Sequence, residues 1–174
     1  MKSGKNIVFL GMMGSGKTSI GSSISKKFKK NFFDTDQFIE DKLNMKITKI
    51  FREKGEIFFR EQEEKVTLDL LKKKNIVLAL GGGGFLNKNI RDEILTNHIS
   101  FWLKCDDKTL INRIKNSTKR PLAYNASNNE LSDIIKARSK YYSKAMYEVD
   151  CSGLTKNEVI NTIIKIYENK KIKD

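Results

Sequence analysis

The sequence predicts an α/β fold in which helices cover both faces of a parallel sheet, and three observations carry that prediction. Short, continuously apolar runs recur along the chain, stretches with helical spacing separate them, and the first run ends in a glycine-rich turn that opens such a stretch. Strands buried on both faces read as unbroken apolar runs, and parallel neighbours need a long crossover between them. The 174 residues suit one domain with a proper core.

Residues 6–10, Asn-Ile-Val-Phe-Leu, form the first predicted strand. Ile20, Ile24 and Phe28 mark the helix after it, closed by Lys26, Lys27, Lys29 and Lys30, whose charges complement the carboxyl end of a helix dipole. Phe32 and Phe33 are the second strand, followed by a helix over 37–43. Acids early and lysines late predict a helix over 61–74; residues 76–80 and 99–103 then read as strands three and four. The interval 116–129, which holds the only proline, Pro121, is polar and reads as a mobile loop. A helix over 130–146 follows, with Leu131, Ile134, Ile135, Tyr142 and Ala145 as its inner stripe, then a weaker strand over 147–151. Thr155 and Glu158 form a capping box for a last helix carrying Val159, Ile160, Ile163, Ile164 and Tyr167.

Composition narrows the function classes. No apolar run approaches the roughly 18 to 20 residues that span a bilayer, so the expectation is a cytoplasmic protein without a membrane partner. Cys105 and Cys151 are far apart in sequence and His98 is the only histidine, which argues against a disulfide framework or a zinc site. The net charge of +13 would suit nucleic acid, but the lysines are scattered through every segment instead of forming one basic face. No nucleic-acid partner is expected.

The chemistry begins at Gly11-Met12-Met13-Gly14-Ser15-Gly16-Lys17-Thr18, which fits G-x-x-x-x-G-K-S/T between a strand and a helix. In such a loop the backbone N–H groups turn inward around phosphate oxygens, the lysine reaches the outer phosphates and the threonine hydroxyl serves magnesium. A second apolar strand in such proteins usually ends in an aspartate; here residues 76–80 end in Gly81-Gly82-Gly83-Gly84. Four glycines suggest backbone that a ligand must approach closely, with a flexible hinge as the alternative. The carboxylate is sought instead in Asp34-Thr35-Asp36, where the two acids share a face if the strand stays extended, or where Asp36 caps the helix over 37–43. Arg60, between Phe59 and a run of glutamates, and Arg138, on the inner stripe, are candidate forks for an anionic substrate. Arg120, in Lys119-Arg120-Pro121-Leu122, could fold over transferring phosphate, and Arg113 could stack on an adenine.

These motifs together resemble those of the shikimate kinase family, small relatives of the nucleoside monophosphate kinases, over residues 6–167: GMMGSGKT at Gly11, FFDTD at Phe32, IFREKGEIFFREQE from Ile50, LGGGG at Leu80, KRPL at Lys119 and ARSKYY at Ala137. The resemblance implies a three-layer P-loop kinase fold with a five-stranded parallel sheet in the order 2-3-1-4-5 and a mobile lid over about 114–126. One domain would span 1–174, with its substrate-binding segment at about 34–61. It implies transfer of the ATP γ-phosphoryl group to the 3-hydroxyl of shikimate with Mg2+, by a monomer. Residue by residue it implies Gly14, Ser15, Gly16, Lys17, Thr18 and Ser19 on ATP phosphates, Thr18 on magnesium and Asp34 near the metal through water. Asp36 would meet shikimate hydroxyls, Arg60 and Arg138 its carboxylate, and Gly82 and Gly83 would offer backbone donors, with Phe51 and Phe59 lining the ring pocket. Glu63 would support Arg60, Arg120 would reach the phosphates from the lid, and Arg113 would border adenine. Lys17, Asp36 and Arg120 would be the catalytic set. A kinase of gluconate or of a nucleotide would share the fold and the loop, but the glycine run and the arginine pair argue against it.

Overall fold

The computed structural model describes residues 5–115 and 126–171. The expected lid lies almost wholly outside them, and with it Arg120. Five strands, β1 (Ile7–Leu10), β2 (Asn31–Asp34), β3 (Ile76–Ala79), β4 (Ile99–Lys104) and β5 (Tyr147–Asp150), form one sheet in the order β2-β3-β1-β4-β5. All four pairings are parallel. The helices are α1 (Lys17–Lys27), α2 (Thr35–Leu43), α3 (Ile47–Leu71), α4 (Lys88–Asn97), α5 (Asp107–Lys115), α6 (Asn128–Tyr142) and α7 (Lys156–Lys171), with a 3-10 turn at Gly84–Leu86.

The three layers follow from alternation along the strands. Val8, Leu10, Leu78 and Trp102 face one way, against Val66 and Leu70 of α3, Ile90 and Ile94 of α4 and Leu131 of α6. Ile7, Phe9, Val77 and Phe101 face the other, against Ile20 and Ile24 of α1 and Val159 and Ile163 of α7. Both sets are buried, as the unbroken apolar runs require.

The boundaries differ from expectation in instructive places. Helix α3 begins at Ile47, not at 61, because Gly55, at φ 82° and ψ 170°, kinks it and masks the first part as a separate short segment. A Cβ at Gly55 would touch nothing within 4 Å, so glycine serves the backbone angle there. Helix α4, which the sequence reading passed over, is short; Asn87 caps it by accepting from the Ile90 N–H at 3.1 Å. Helix α6 stops at Tyr142 and starts at a capping box, Ser127 with Glu130. The expected box at α7 forms, with Thr155 and Glu158 bonded reciprocally at 2.7 and 3.3 Å. Cys105 and Cys151, distant in sequence, follow the register pair Lys104↔Asp150 and are both free.

Candidate active site

The carboxyl ends of the strands carry the site, as open α/β sheets dictate. Strand β1 runs into the loop 11–16, where Gly11, Gly14 and Gly16 hold φ of 140°, 81° and 92°. Gly11 also has no room for a side chain: a Cβ would lie 2.7 Å from the Leu103 carbonyl oxygen. The loop turns back on itself so that Lys17, only 7% exposed, donates from Nζ to the Gly11 and Met12 carbonyls at 2.8 and 2.9 Å. Ser15 Oγ is buried with no partner among the described residues. Ser19 stands exposed in the first turn of α1, and Arg113 of α5 donates from Nη1 to the Gly14 carbonyl at 3.0 Å.

Thr18 and Asp34 meet at the edge of this loop: Thr18 Oγ1 donates to Asp34 Oδ2 at 2.6 Å. The other oxygen, Asp34 Oδ1, accepts from the Asp36 and Gln37 N–H groups at 3.0 and 3.3 Å and so caps α2. Two expectations are corrected here. The cap is Asp34 and not Asp36, and the two acids do not share an extended face, because Thr35 is already helical and Asp36 lies inside the first turn. One aspartate serves the loop while the other turns toward a neighbouring cavity.

That cavity, about 630 Å³, is lined by Asp36, Phe51, Phe59, Arg60, Glu63, Gly82, Gly83 and Arg138, together with Thr18 and Asp34. The structure therefore brings every predicted acceptor residue to one space that opens onto Thr18 and its partner Asp34. Phe51 and Phe59 pack at 4.8 Å between ring centroids, and the Arg60 guanidinium lies over the Phe59 ring at 5.2 Å. Arg60 Nη1 donates to Glu63 Oε2 at 2.7 Å, and its Nη2 to Glu56 Oε1 at 3.0 Å. Burial pushes the Glu63 carboxyl up from its ordinary range, with Arg60 countering. Burial works against the charge of Arg60, yet its paired glutamates hold its pKa above the usual value. Across the cavity Arg138 rests with Nη1 3.9 Å from Met12 Sδ.

The glycine run is close-packed, which removes the hinge alternative. A Cβ at Gly81 would lie 2.5 Å from Asp36 Oδ1 and 2.7 Å from Glu63 Oε1; at Gly83 it would lie 2.8 Å from Arg60 Cζ, and at Gly84 2.9 Å from Leu80 Cδ1. The Gly81 N–H is spent on Thr35 Oγ1 at 2.7 Å and the Gly84 N–H on the Gly81 carbonyl at 3.0 Å. The N–H groups of Gly82 and Gly83 find no acceptor among the described residues. Thr35, fully buried, and Tyr142, whose hydroxyl donates to the Gly82 carbonyl, are site residues that sequence reasoning missed. Thr35 was visible only as the spacer in Asp-Thr-Asp, and Tyr142 only as one more member of the apolar stripe.

A magnesium ion suits the oxygen pair Thr18 and Asp34, and among the described residues no group of three or more His, Cys, Asp or Glu is gathered that could cage a metal. Few protein ligands with phosphates and waters making up the rest is how magnesium is ordinarily held.

Comparison with known proteins agrees with this geometry. Residues 13–168 match the family model described as shikimate kinase. The chain is 37% identical over 165 residues to a shikimate kinase of Thermodesulfovibrio yellowstonii, covering 94% of this chain and 95% of that one. It is 38% identical over 176 residues to one of Flavobacterium psychrophilum, covering 93% and 98%. A solved structure, shikimate kinase from Acinetobacter baumannii in complex with shikimate, superposes with a TM-score of 0.92 at 28% identity, covering 98% of this chain and 96% of that one. A deoxyadenosine kinase from M. mycoides shares the fold alone, with a TM-score of 0.65 at 18% identity over 94% of this chain and 99% of that one. A family model over most of the chain, relatives of matching length and a site assembled as the motifs require lead to one conclusion: this chain belongs to the shikimate kinase family.

Proposed function

We propose that the chain transfers the γ-phosphoryl group of ATP to the 3-hydroxyl of shikimate, giving shikimate 3-phosphate and ADP in the route to the aromatic amino acids. One observation carries the reading: Arg60, Arg138 and the Gly82–Gly83 backbone converge on a cavity that opens directly onto Thr18, just after the phosphate loop, and onto Asp34 at the end of β2. A carboxylate matches two guanidinium forks, and a ring hydroxyl matches the remaining glycine N–H groups.

Phosphoryl transfer through a loose transition state asks for positioning and charge stabilisation more than for a strong base. The bond from the acceptor oxygen to γ-phosphorus forms as the bond to the bridging oxygen of ADP breaks. Asp36 orients the attacking hydroxyl, accepts its hydrogen bond and takes its proton as the new bond forms. Lys17 leaves the Gly11 and Met12 carbonyls for the phosphates, exchanging neutral acceptors for anionic ones. Gly14, Ser15, Gly16 and Ser19 cradle the phosphates through the loop and the start of α1. Thr18 and Asp34 would hold Mg2+, which would neutralise phosphate charge. Arg113 borders the nucleotide base; the expected role of Arg120 on the phosphates falls outside the described residues. The protein works as a single-domain monomer in the cytoplasm, with 34–61 as its acceptor-binding segment; no helix among the described residues is long and apolar enough to cross a membrane.

The test is ADP formation by the purified chain with ATP, Mg2+ and each acceptor in turn. Turnover should depend on shikimate and be negligible with gluconate or nucleoside monophosphates. Turnover on gluconate with none on shikimate would overturn the assignment.

A further inference from the structure

Tyr142 stands behind the glycine run. Its residue is 2% exposed, its ring packs on Trp102 at 6.1 Å, and its hydroxyl donates to the Gly82 carbonyl. It follows Arg138 by one turn of α6, so the two side chains leave the same helix face, and the guanidinium lies against the phenol. Tyr142 itself does not line the acceptor cavity, whereas Gly82, Gly83 and Arg138 do. Burial pushes its pKa up to about 12, so the hydroxyl keeps its proton and remains a donor.

The consequence comes from peptide geometry. In a planar trans peptide the C=O of one residue and the N–H of the next point in opposite directions, and the described chain contains no cis bond. A Gly82 carbonyl held toward Tyr142 therefore sends the Gly83 N–H the other way. A peptide between two glycines rotates more easily than any other, because neither residue has a Cβ to restrain it. Without an anchor, the unit would have no fixed orientation at the point where the acceptor needs one. We propose that Tyr142 is a positioning residue for the acceptor: by holding the Gly82 carbonyl from behind, it keeps the Gly83 N–H aimed into the cavity at a hydroxyl oxygen of the substrate. The proposal rests on the acceptor reading given under Proposed function. It adds to that reading a residue that acts through the glycine peptide and touches no substrate. Arg138 and Tyr142 then form one rigid unit that orients both ends of the acceptor, its carboxylate and its hydroxyl.

Tyr142→Phe removes the oxygen and keeps the ring, so packing on Trp102 survives. With each substrate varied in turn, kcat/KM for shikimate should fall about tenfold, the worth of one hydrogen bond. The KM for ATP should stay within about twofold of the wild type. The melting-temperature rise induced by saturating shikimate should shrink in the variant while the rise induced by ATP is retained, a readout that holds even if the variant is less stable. Equal changes for both substrates, no change for either, or a full shikimate-induced shift would overturn the positioning role. Wild-type protein that turns over no shikimate would instead overturn the functional reading itself.

Discussion

Gly11, Gly14 and Gly16 of the phosphate loop hold φ of 140°, 81° and 92°, whereas none of the four glycines at 81–84 has positive φ. In the loop, glycine is needed for the backbone path; at Gly81, Gly83 and Gly84 of the acceptor cavity it is needed because the side chains of Asp36, Glu63, Arg60 and Leu80 take the room a Cβ would fill. The two regions are built on different scales as a result. The loop is a local device whose shape comes from consecutive residues and whose lysine is held by its own carbonyls. The cavity is a tertiary assembly: α2, α3 and α6 each send side chains against a stretch of chain that has none. Charge is handled differently too, since Arg60 is balanced by Glu56 and Glu63 of its own helix.

The largest effect should separate the regions outright. Lys17→Ala should lower kcat by about two to three orders of magnitude, as loss of one preorganised donor to transferring charge does, while shikimate affinity measured by calorimetry stays near that of the wild type. Arg138→Ala should act in the opposite sense, weakening shikimate by roughly 1.5 to 3 kcal/mol for each charge-assisted hydrogen bond lost and leaving the KM for ATP in place. If either variant impaired both substrates equally, the division into two independently built regions would fail.

A smaller effect probes the two uses of glycine. Gly14→Ala puts a Cβ at φ 81° and 3.2 Å from Arg113 Cβ, so the folded chain bears the strain; about 1 to 2 kcal/mol should be lost in denaturant unfolding, along with ATP affinity. Gly83→Ala has no such backbone cost. Its Cβ collides with the Arg60 guanidinium, the far end of a flexible side chain that is 31% exposed and can shift while keeping its pairs with Glu56 and Glu63. Stability should change by less than about 1 kcal/mol, while the KM for shikimate rises about tenfold as Arg60 is displaced. Comparable destabilisation by the two substitutions would mean that the cavity glycines serve backbone angles after all.

The same contrast explains what the sequence made legible. Strand order aside, the fold could be read because each strand is an unbroken apolar run, and the loop because its motif is contiguous. Asp36, Arg60, the glycine run and Arg138 stand out singly as candidates, but their union in one site comes through resemblance to a family, since no local pattern joins residues so far apart. What stayed hidden depends on close approach in space. Asp34 acts as cap and loop partner at once, which requires knowing that helix α2 begins at Thr35. Tyr142 reads as core because it is core, and only the position of the Gly82 carbonyl gives its hydroxyl a purpose. Helix α3 reads as starting at 61, where the acids begin, whereas helix runs from Ile47 on both sides of Gly55.

The smallest effect should belong to neither region. His98 follows α4 at the amino end of β4, at the opposite end of the strands from both sites, with its side chain 8% exposed and neither ring nitrogen hydrogen-bonded among the described residues. Glu93 Oε1 lies 3.3 Å from Nε2 but out of hydrogen-bonding line. Burial lowers the His98 pKa, with Glu93 opposing and nearby Lys5 adding to the shift. The folded chain therefore resists a proton that the unfolded chain accepts near its ordinary value of 6.5. The unfolded state binds more protons in that window, so stability rises with pH. The contribution of His98 is fully present above the unfolded value and is lost as pH falls through it toward the lower folded one. Denaturant midpoints between about pH 5 and 8 should fall on acidification for the wild type and fall less for His98→Gln, with both KM values unchanged at neutral pH. A midpoint that rose on acidification would show Glu93 holding a charged imidazole, and a shift in either KM would tie the amino ends of the strands to the sites at their carboxyl ends.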